Sequence, residues 1–311
     1  DIVVFYRYSI DAEPNICQQM VVRGVLKEFL PNGKILVQLR ASQSNPKVLK
    51  NEKGFAWAME HDFLESSQSV LYSVLYSILE ANEERRSLLL TKRLPEVDLS
   101  CSLIGNYDKK GEIYYNSLVR KAIQAKDYFL LVGPPGTGKT SRGLMYILQE
   151  QLLQSDLPIL LTAYTNRAVD EICDKLVAYN QANLDSPIEF LRLGSRSATD
   201  NFYASYFLAQ KVEDNCKTKA EVIDLLKKTR VFVGTTSSVL ANLRLTKLLH
   251  FSMAIVDEAS QLIEPQMVGL FCAKDGEGNN AIDKFVLIGD YKQLPAVVLQ
   301  TEKQSAVTDL L

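Results

Sequence analysis

The chain has 311 residues, of which 47% are hydrophobic, and a formal net charge of −2. This length exceeds one ordinary domain, so we expect two or three units with buried cores. The near-neutral charge excludes a strong overall positive field, and any nucleic-acid surface must therefore be local.

The five cysteines lie far apart, and neither His61 nor His250 has a second histidine or a cysteine close to it in the sequence. This spacing argues against a disulfide framework, an iron–sulfur cluster and a zinc site. We find no secretory signal and no apolar run long enough to cross a bilayer. The protein is therefore expected to be intracellular, either cytoplasmic or, in a bacterium, associated with the nucleoid. Because the chain begins with Asp1, we expect it to be a piece of a longer polypeptide.

Residues 1–62 have the pattern of β-structure, with Asn32-Gly33 as a hairpin turn. The predicted strands are Ile2–Tyr8, Gln19–Phe29, Ile35–Arg40 and Gly54–Met59. Four short strands in this length predict a small β-barrel. Such a barrel could bind an oligonucleotide or act as a spacer, and the sequence favours neither.

Residues 63–115 are predicted to form a helical stalk and a linker. One apolar stripe has helical spacing and consists of Val70, Leu71, Val74, Leu75, Ile78 and Leu79. A helix that packs against a neighbour explains this stripe better than an exposed partner-binding helix. Pro95 ends the helical pattern.

From residue 116 to residue 311 strands and helices alternate, which predicts an α/β domain with a parallel sheet covered on both faces. The predicted strands are Tyr128–Val132, Pro158–Ala163, Ile188–Leu193, Val231–Gly234, Met253–Val256 and Phe285–Ile288. Ligands in such sheets bind at the carboxyl ends of the strands. Polar clusters follow five of the six strands, so the chemistry is expected at one edge of the sheet.

The first cluster, Gly133–Thr140, reads GPPGTGKT and fits the phosphate-binding loop G-x-x-x-x-G-K-[ST]. The alternative is a Gly/Pro-rich turn between a strand and a helix, but such a turn does not require Lys-Thr after the last glycine. Lys139 is predicted to reach the β- and γ-phosphates of ATP, and Thr140 to bind Mg²⁺. The predicted cofactor-binding residues are Gly133, Pro134, Pro135, Gly136, Thr137, Gly138, Lys139, Thr140 and Ser141.

The second cluster is the adjacent acids Asp257 and Glu258, which follow an apolar strand. In phosphoryl transfer the first acid of such a pair holds Mg²⁺ and the second accepts a proton from water. The alternative is an exposed acidic pair at a strand end. Since a phosphate loop precedes the pair in the same domain, Asp257 is predicted as a metal ligand and Glu258 as the general base.

The third cluster is Gly289–Pro295, with the sequence GDYKQLP. It resembles motif III of the superfamily 1 helicases, and Asp257–Gln261 resembles their motif II. The segment Tyr164–Asp170 resembles motif Ia of the 5′-to-3′ branch, which contains the RNA-surveillance helicases and the replication and repair helicase–nucleases. The resemblance implies a RecA-like first motor domain over residues 116–311, preceded by the small barrel and the stalk.

The resemblance also implies roles for single residues. Gln293 would contact the γ-phosphate and water as a catalytic residue together with Lys139 and Glu258. Single-stranded nucleic acid, with DNA favoured over RNA, would be contacted by Asn166, Arg167, Thr235, Thr236 and Pro295. The alternatives are structural roles, in which Asn166 caps a helix and the two threonines end a strand. No membrane partner and no oligomer are implied.

Two features depart from this family. Val119 stands where related chains have an adenine-reading glutamine, and Gln124 lies too far along to replace it. The second motor domain and its arginine fingers do not follow before Leu311. Arg142, Arg192 and Arg196 lie in the chain, but nothing in the sequence places them at a γ-phosphate. The predicted function is an ATP-dependent helicase or translocase, with slow hydrolysis by residues 1–311 alone. The alternatives are a ring-forming phosphate-loop ATPase and a nucleotide-gated nucleic-acid-binding module.

Overall fold

The computed structural model describes residues 2–15, 20–31, 33–39, 49–50, 53–61, 74–111, 113–194 and 201–293. The chain divides into two compact units, Asp1–Ser69 and Val70–Leu311. The division predicted from the sequence, with boundaries at residues 62 and 115, stays a prediction.

The first unit contains a four-stranded antiparallel sheet, which confirms the four predicted strands. Its strands are β1 (Ile2–Ser9), β2 (Val21–Leu30), β3 (Lys34–Leu39) and β4 (Phe55–His61), in the order β3-β2-β1-β4. Val3, Val4 and Tyr6 of the central strand β1 are buried. Among the described residues β3 and β4 do not pair, so closure into a barrel stays a prediction. Asn32 of the predicted turn lies outside the described residues.

The second unit starts with two short helices, α1 (residues 74–80) and α2 (Glu83–Leu89). Val74 is buried, and its side chain would meet a Cβ at Gly269, so a glycine allows the close approach. Leu75 and Leu79 are exposed, and the predicted apolar stripe is therefore narrower than the sequence indicates. Val70 and Leu71 lie outside the described residues.

A six-stranded parallel sheet forms the centre of the second unit, as predicted. Its strands are β5 (Tyr128–Val132), β6 (Ile159–Ala163), β7 (Phe190–Arg192), β8 (Val231–Thr235), β9 (Phe251–Asp257) and β10 (Ile282–Gly289), in the order β5-β10-β9-β6-β8-β7. Every residue of β6, β8 and β9 is buried. Burial on both faces explains why these strands are continuous apolar runs rather than alternating ones.

Helices cover both faces of the sheet. They are α3 (Tyr115–Gln124), α4 (Met145–Gln154), α5 (Asn166–Ala182), α6 (Leu208–Asn215), α7 (Lys219–Lys228), α8 (Thr236–Ala241) and α9 (Glu264–Phe271). A π-helical turn, Lys139–Leu144, precedes α4, and two 3₁₀ turns lie at Asn201–Tyr206 and Ala259–Gln261. One core cluster includes Val119 of α3, Ile147 of α4 and Val169 of α5. A second core cluster includes Leu240 of α8 and Leu270 of α9.

Two arginines hold the segment around α2 against the amino ends of β5 and β10. The guanidinium of Arg93 donates to both carboxylate oxygens of Asp127, at 2.7 and 2.6 Å. Arg85 is 4% exposed and donates to the backbone oxygens of Ile282 and Asp283, at 3.0 and 3.1 Å. These contacts fix one end of the two strands whose other ends carry polar clusters. Within the part of the chain that the structure describes, no helix has the length and apolarity needed to cross a membrane.

Candidate active site

The three polar clusters predicted to lie at one sheet edge line one cavity. The cavity has a volume of about 340 Å³ and opens at the carboxyl ends of β5, β9 and β10. Its lining residues are Pro135, Gly136, Thr137, Gly138, Lys139, Thr140, Ser141, Glu171, Lys175, Asp257, Glu258, Ser260, Gln261, Gly289, Asp290 and Gln293. Parallel strands bring these segments together because their carboxyl ends meet at the same edge.

The phosphate-loop segment is wound into a cradle by its glycines. Gly136 and Gly138 have φ angles of 77° and 81°, a left-handed conformation that side chains with a Cβ disfavour. The ammonium of Lys139 donates to the backbone oxygens of Gly133 and, at 2.9 Å, of Pro134. The loop therefore holds the cation of Lys139 on its own carbonyl groups.

Thr140 and Asp257 place two oxygen atoms side by side in the cavity. The hydroxyl of Thr140 donates to Oδ2 of Asp257 at 2.7 Å. Burial raises the pKa of Asp257, although the hydrogen bonds from Thr140 and from the amide of Glu258 and the charge of Lys139 oppose this shift. A hydroxyl and a carboxylate are oxygen ligands of the kind that Mg²⁺ prefers.

Glu258 has a left-handed backbone, with φ 52° and ψ 36°. Its amide donates to Oδ1 of Asp257 at 2.9 Å, and its backbone oxygen accepts from the amide of Gln261 at 2.9 Å, which closes a tight turn after β9. Burial raises the pKa of Glu258, as do the negative charges of Asp257 and Glu171, while Arg167 acts in the opposite direction. A raised pKa suits a carboxylate that takes up a proton. Left-handed conformation is costly for a residue with a Cβ and is often found at functional sites.

Gln293 lies in the cavity and is held by Asp290. Its side-chain amide donates to Oδ2 of Asp290 at 3.3 Å, and its backbone amide donates to the backbone oxygen of Asp290 at 3.1 Å. Asp290 is 7% exposed and also accepts from the amide of Lys292 at 3.0 Å. The third cluster is thus a turn that presents Gln293 to the cavity. Pro295 lies outside the described residues.

Six lining residues were given no role from the sequence, namely Glu171 and Lys175 of α5, Ser260 and Gln261 after β9, and Gly289 and Asp290 at the end of β10. A signal for the first two was available. Residues four apart share one face of a helix, so Arg167, Glu171 and Lys175 form one stripe. Placing that stripe against the cavity required the three-dimensional structure.

Asn166 and Arg167 lie in the first turn of α5, beside the carboxyl end of β6. The alternative that Asn166 caps α5 is wrong, because the cap is Thr165, whose hydroxyl accepts from the amide of Ala168 at 3.1 Å. Oδ1 of Asn166 accepts from Arg192 at 3.4 Å. Arg192 is 1% exposed and forms an ion pair of 2.9 Å with Asp170. The side chain of Arg167 is 91% exposed.

Thr235 and Thr236 are buried where β8 ends and α8 begins. Thr235 is 7% exposed and caps α8, with its hydroxyl accepting from the amide of Ser238 at 3.1 Å. Thr236 is fully buried, and its hydroxyl lies 3.1 Å from that of Thr162. The predicted contact of Thr235 and Thr236 with nucleic acid stays a prediction, and in this structure their hydroxyl groups form contacts within the protein. Their hydroxyls stabilise the junction of β8 and α8.

Val119 and Gln124, the two positions compared above with a glutamine of related chains, both make contacts within the fold. Val119 is fully buried in the core beneath α3. The side-chain amide of Gln124 donates to the backbone oxygens of Leu99 and Cys101, at 3.4 and 3.0 Å. A second cavity of about 340 Å³ lies beside the glycine cradle and is lined by residues that include Tyr114, Tyr115, Leu118 and Leu131. Its lining is mostly apolar and aromatic.

Comparison with known proteins places the chain in a family. A family model described as an AAA domain matches residues 114–230 and 218–301. The DNA replication ATP-dependent helicase/nuclease JHS1 of Arabidopsis thaliana is 36% identical over 59% of this chain and 12% of its own length. DNA replication ATP-dependent helicase/nuclease DNA2 of Bos taurus is 29% identical over 75% of this chain and 21% of its own length, and DNA2 of Homo sapiens is 33% identical over 60% and 16%.

The chain spans between 12% and 21% of the length of these three relatives. Their names agree with the resemblance to the replication and repair helicase–nucleases, which is confirmed. The family match extends over the phosphate loop, the paired acids and the segment of Gln293. The chain belongs to the AAA domain family.

Proposed function

We propose that this chain is the first motor domain of an ATP-dependent helicase or translocase, together with its preceding β-rich and helical regions. The observation that carries the proposal is that three segments far apart in the sequence line one cavity at the carboxyl edge of the sheet. The helicase/nuclease relatives support this function over the ring-forming and binding-module alternatives. Their names also support DNA as the strand and an intracellular location.

The residues of the cavity fit Mg²⁺ and a nucleoside triphosphate. Within the described residues no group of three or more histidines, cysteines or acids could hold a metal, but Mg²⁺ commonly uses one or two protein ligands together with water and phosphate oxygens. Thr140 and Asp257 would be those ligands. The hydroxyl of Tyr115 supports a bound nucleotide, because it is buried without a partner in the described part of the chain and lies beside Gly138.

When bound, Mg-ATP would supply the phosphoryl group and partial neutralisation of its charge. Lys139 would leave the carbonyl oxygens of Gly133 and Pro134 and donate to phosphate oxygens instead. Glu258 would accept the proton of the attacking water at its carboxylate, and its raised pKa favours that role. Gln293 would orient the same water through its side-chain amide.

Single-stranded nucleic acid would bind along the carboxyl edge, next to the nucleotide. Asn166 and Arg167 support this role because both lie at the first turn of α5 and Arg167 is 91% exposed. An amide and a guanidinium are donors, and they suit phosphate and sugar oxygens without reading the sequence. Thr235 and Thr236 would hold the neighbouring turn in place. A role for Pro295 stays a prediction.

Equilibrium binding of a fluorescent ATP analogue tests this function. Wild-type protein should bind the analogue in the presence of Mg²⁺, and Lys139→Ala should weaken binding at least tenfold, because a charge-assisted contact to phosphate is lost. Lys227→Ala removes the same charge from an exposed position on α7 and should leave binding unchanged. Equal binding by wild type and the Lys139 variant would contradict the proposal.

A further inference from the structure

Arg167 and Glu171 of α5 join the proposed strand site to the nucleotide cavity. Arg167 stands next to Asn166, outside the set of residues that line the cavity, whereas Glu171 is one of those residues. Nε of Arg167 lies 3.7 Å from Oε1 of Glu171, and the two residues are one helical turn apart. One ion pair therefore joins a residue of the proposed strand site to a residue that lines the cavity.

This ion pair is weak enough to be broken by a competitor. The side chains of Arg167 and Glu171 are 91% and 60% exposed, and exposed pairs of this kind contribute little to stability. A strand phosphate can form a bidentate contact with a guanidinium. The contact of 3.7 Å between Arg167 and Glu171 is weaker than such a contact. A bound strand should thus take Arg167 away from Glu171.

The released carboxylate of Glu171 would then stand uncompensated beside the negative phosphates of a bound nucleotide. A second effect of freeing Glu171 would also weaken nucleotide binding. Lys175 lines the cavity one turn further along α5, and a glutamate preceding a lysine by four residues is the favoured orientation of a helical pair. Glu171 turned towards Lys175 would neutralise a cation of the cavity.

We propose, on the basis of the function proposed above, that the Arg167–Glu171 pair makes strand binding and nucleotide binding antagonistic. The strand weakens nucleotide binding by freeing Glu171, and by thermodynamic reciprocity the nucleotide weakens strand binding by the same factor. The charges are exposed and screened by salt, so we expect a factor of about two to five at low ionic strength.

The first experiment needs no nucleic acid. It measures the affinity of a fluorescent ATP analogue with Mg²⁺ for wild type, Arg167→Ala, Glu171→Gln and the double variant. Arg167→Ala should weaken binding about two- to fivefold, because it mimics the strand-bound state. Glu171→Gln should tighten binding, and the double variant should match Glu171→Gln. Glu213→Gln, an exposed glutamate of α6, controls for net charge and should match wild type.

Two outcomes of that experiment would overturn the inference. Either Arg167→Ala binds the analogue as wild type does, or it weakens binding as strongly when residue 171 is glutamine. The second outcome would mean that Arg167 acts on the nucleotide directly.

The second experiment repeats the titrations with saturating oligodeoxythymidylate at low salt. Wild type should lose nucleotide affinity by the same two- to fivefold, and Glu171→Gln should lose none. Full antagonism in the Glu171 variant would refute the coupling while leaving the proposed function intact. Failure of the proposed function looks different, because wild type would then bind either no nucleotide or no strand, and both proposals would fall.

Discussion

The hydroxyl of Thr140 donates a hydrogen bond of 2.7 Å to Oδ2 of Asp257, although the two residues are 117 positions apart in the chain. Thr140 lies in the π-helical turn that follows β5, and Asp257 is the last residue of β9, near the middle of the sheet. The bond therefore joins the glycine cradle to the paired acids. Removing it should affect the metal site without dismantling the cradle.

We expect Thr140→Val to weaken binding of an ATP analogue about tenfold in Mg²⁺, because one oxygen ligand is replaced by a methyl group of similar size. Binding measured in excess EDTA should change little, since the cradle and Lys139 are untouched. Isothermal titration calorimetry under both conditions measures the two affinities. An equal loss with and without Mg²⁺ would show that Thr140 contacts the nucleotide rather than the metal.

Glu258→Gln should retain nucleotide binding and lose hydrolysis by about a hundredfold or more, because the amide cannot accept a proton. Single-turnover hydrolysis with protein in excess over ATP measures the rate even when wild type is slow. Glu277→Gln, which changes an exposed acid outside the cavity, is the control. Turnover by the Glu258 variant at the wild-type rate would exclude Glu258 as the base.

The left-handed backbone of Glu258 predicts an unusual order of stability. Glu258→Gly should be more stable than Glu258→Ala by about 1 kcal/mol, because only alanine suffers the clash of a Cβ at positive φ. At the helical position Glu213 the order should reverse, with alanine better by about 1 kcal/mol. Chemical denaturation of the four variants gives both differences. The same order at both positions would mean that Glu258 carries no strain.

The Arg93–Asp127 pair should stabilise the second unit in a pH-dependent manner. Burial raises the pKa of Asp127, but the hydrogen bonds from Arg93 and from the amide of Glu96 outweigh it, and the net shift is downward. A carboxyl group whose pKa is lower in the folded state stabilises the fold above its unfolded value of about 3.9, and the contribution is lost as pH falls through the folded value.

We therefore expect Asp127→Asn to lower the free energy of unfolding by about 2 kcal/mol at pH 7. The difference from wild type should shrink as the pH falls below about 4. Urea denaturation across this pH range measures it. Glu96→Gln breaks the exposed pair with Lys126 and should cost less than about 0.5 kcal/mol at any pH. A constant cost of Asp127→Asn down to pH 2 would contradict the assigned ionisation.

Asn166 and Thr236 should separate strand binding from stability. Asn166→Ala should weaken binding of a short oligodeoxythymidylate by about fivefold. It should cost less than about 1 kcal/mol of stability, because Arg192 loses one long hydrogen bond of 3.4 Å but keeps its ion pair with Asp170. Thr236→Val should cost about 1–2 kcal/mol of stability, since Thr162 loses its buried partner, and should leave strand affinity unchanged. Fluorescence anisotropy and denaturation measure the two quantities. Reversed effects would mean that Thr236, and not Asn166, contacts the strand.

The sheet and the cavity could be predicted from the sequence because their signals are local. The buried strand Phe251–Asp257 is one apolar run, and the glycine spacing of residues 133–138 serves few other purposes. The sequence does not predict helix α8, because the helix has only six residues and begins Thr-Ser-Ser, a composition that also suits a turn. Its cap, Thr235, is defined only by a hydrogen bond that the sequence does not display.

Other features of the site depend on distant contacts. The left-handed conformation of Glu258 has no sequence signal, since a glycine would be the usual residue there. Glu171 is an ordinary exposed position of a helix until α5 is packed beside the phosphate loop. Likewise, the burial of Thr236 follows from its contact with Thr162 on the neighbouring strand. Tertiary packing decides which polar side chains face the ligand.

The ammonium of Lys139 donates to the backbone carbonyl oxygens of Gly133 and Pro134 and thereby links the two ends of the loop. When a triphosphate binds, Lys139 would exchange these carbonyl oxygens for phosphate oxygens, and the loop would not first have to become ordered. Little chain entropy is then spent on entry, and the favourable free energy of binding is left for motion elsewhere in the molecule. A preformed site of this kind suits the repeated binding and release of nucleotide by the proposed motor domain.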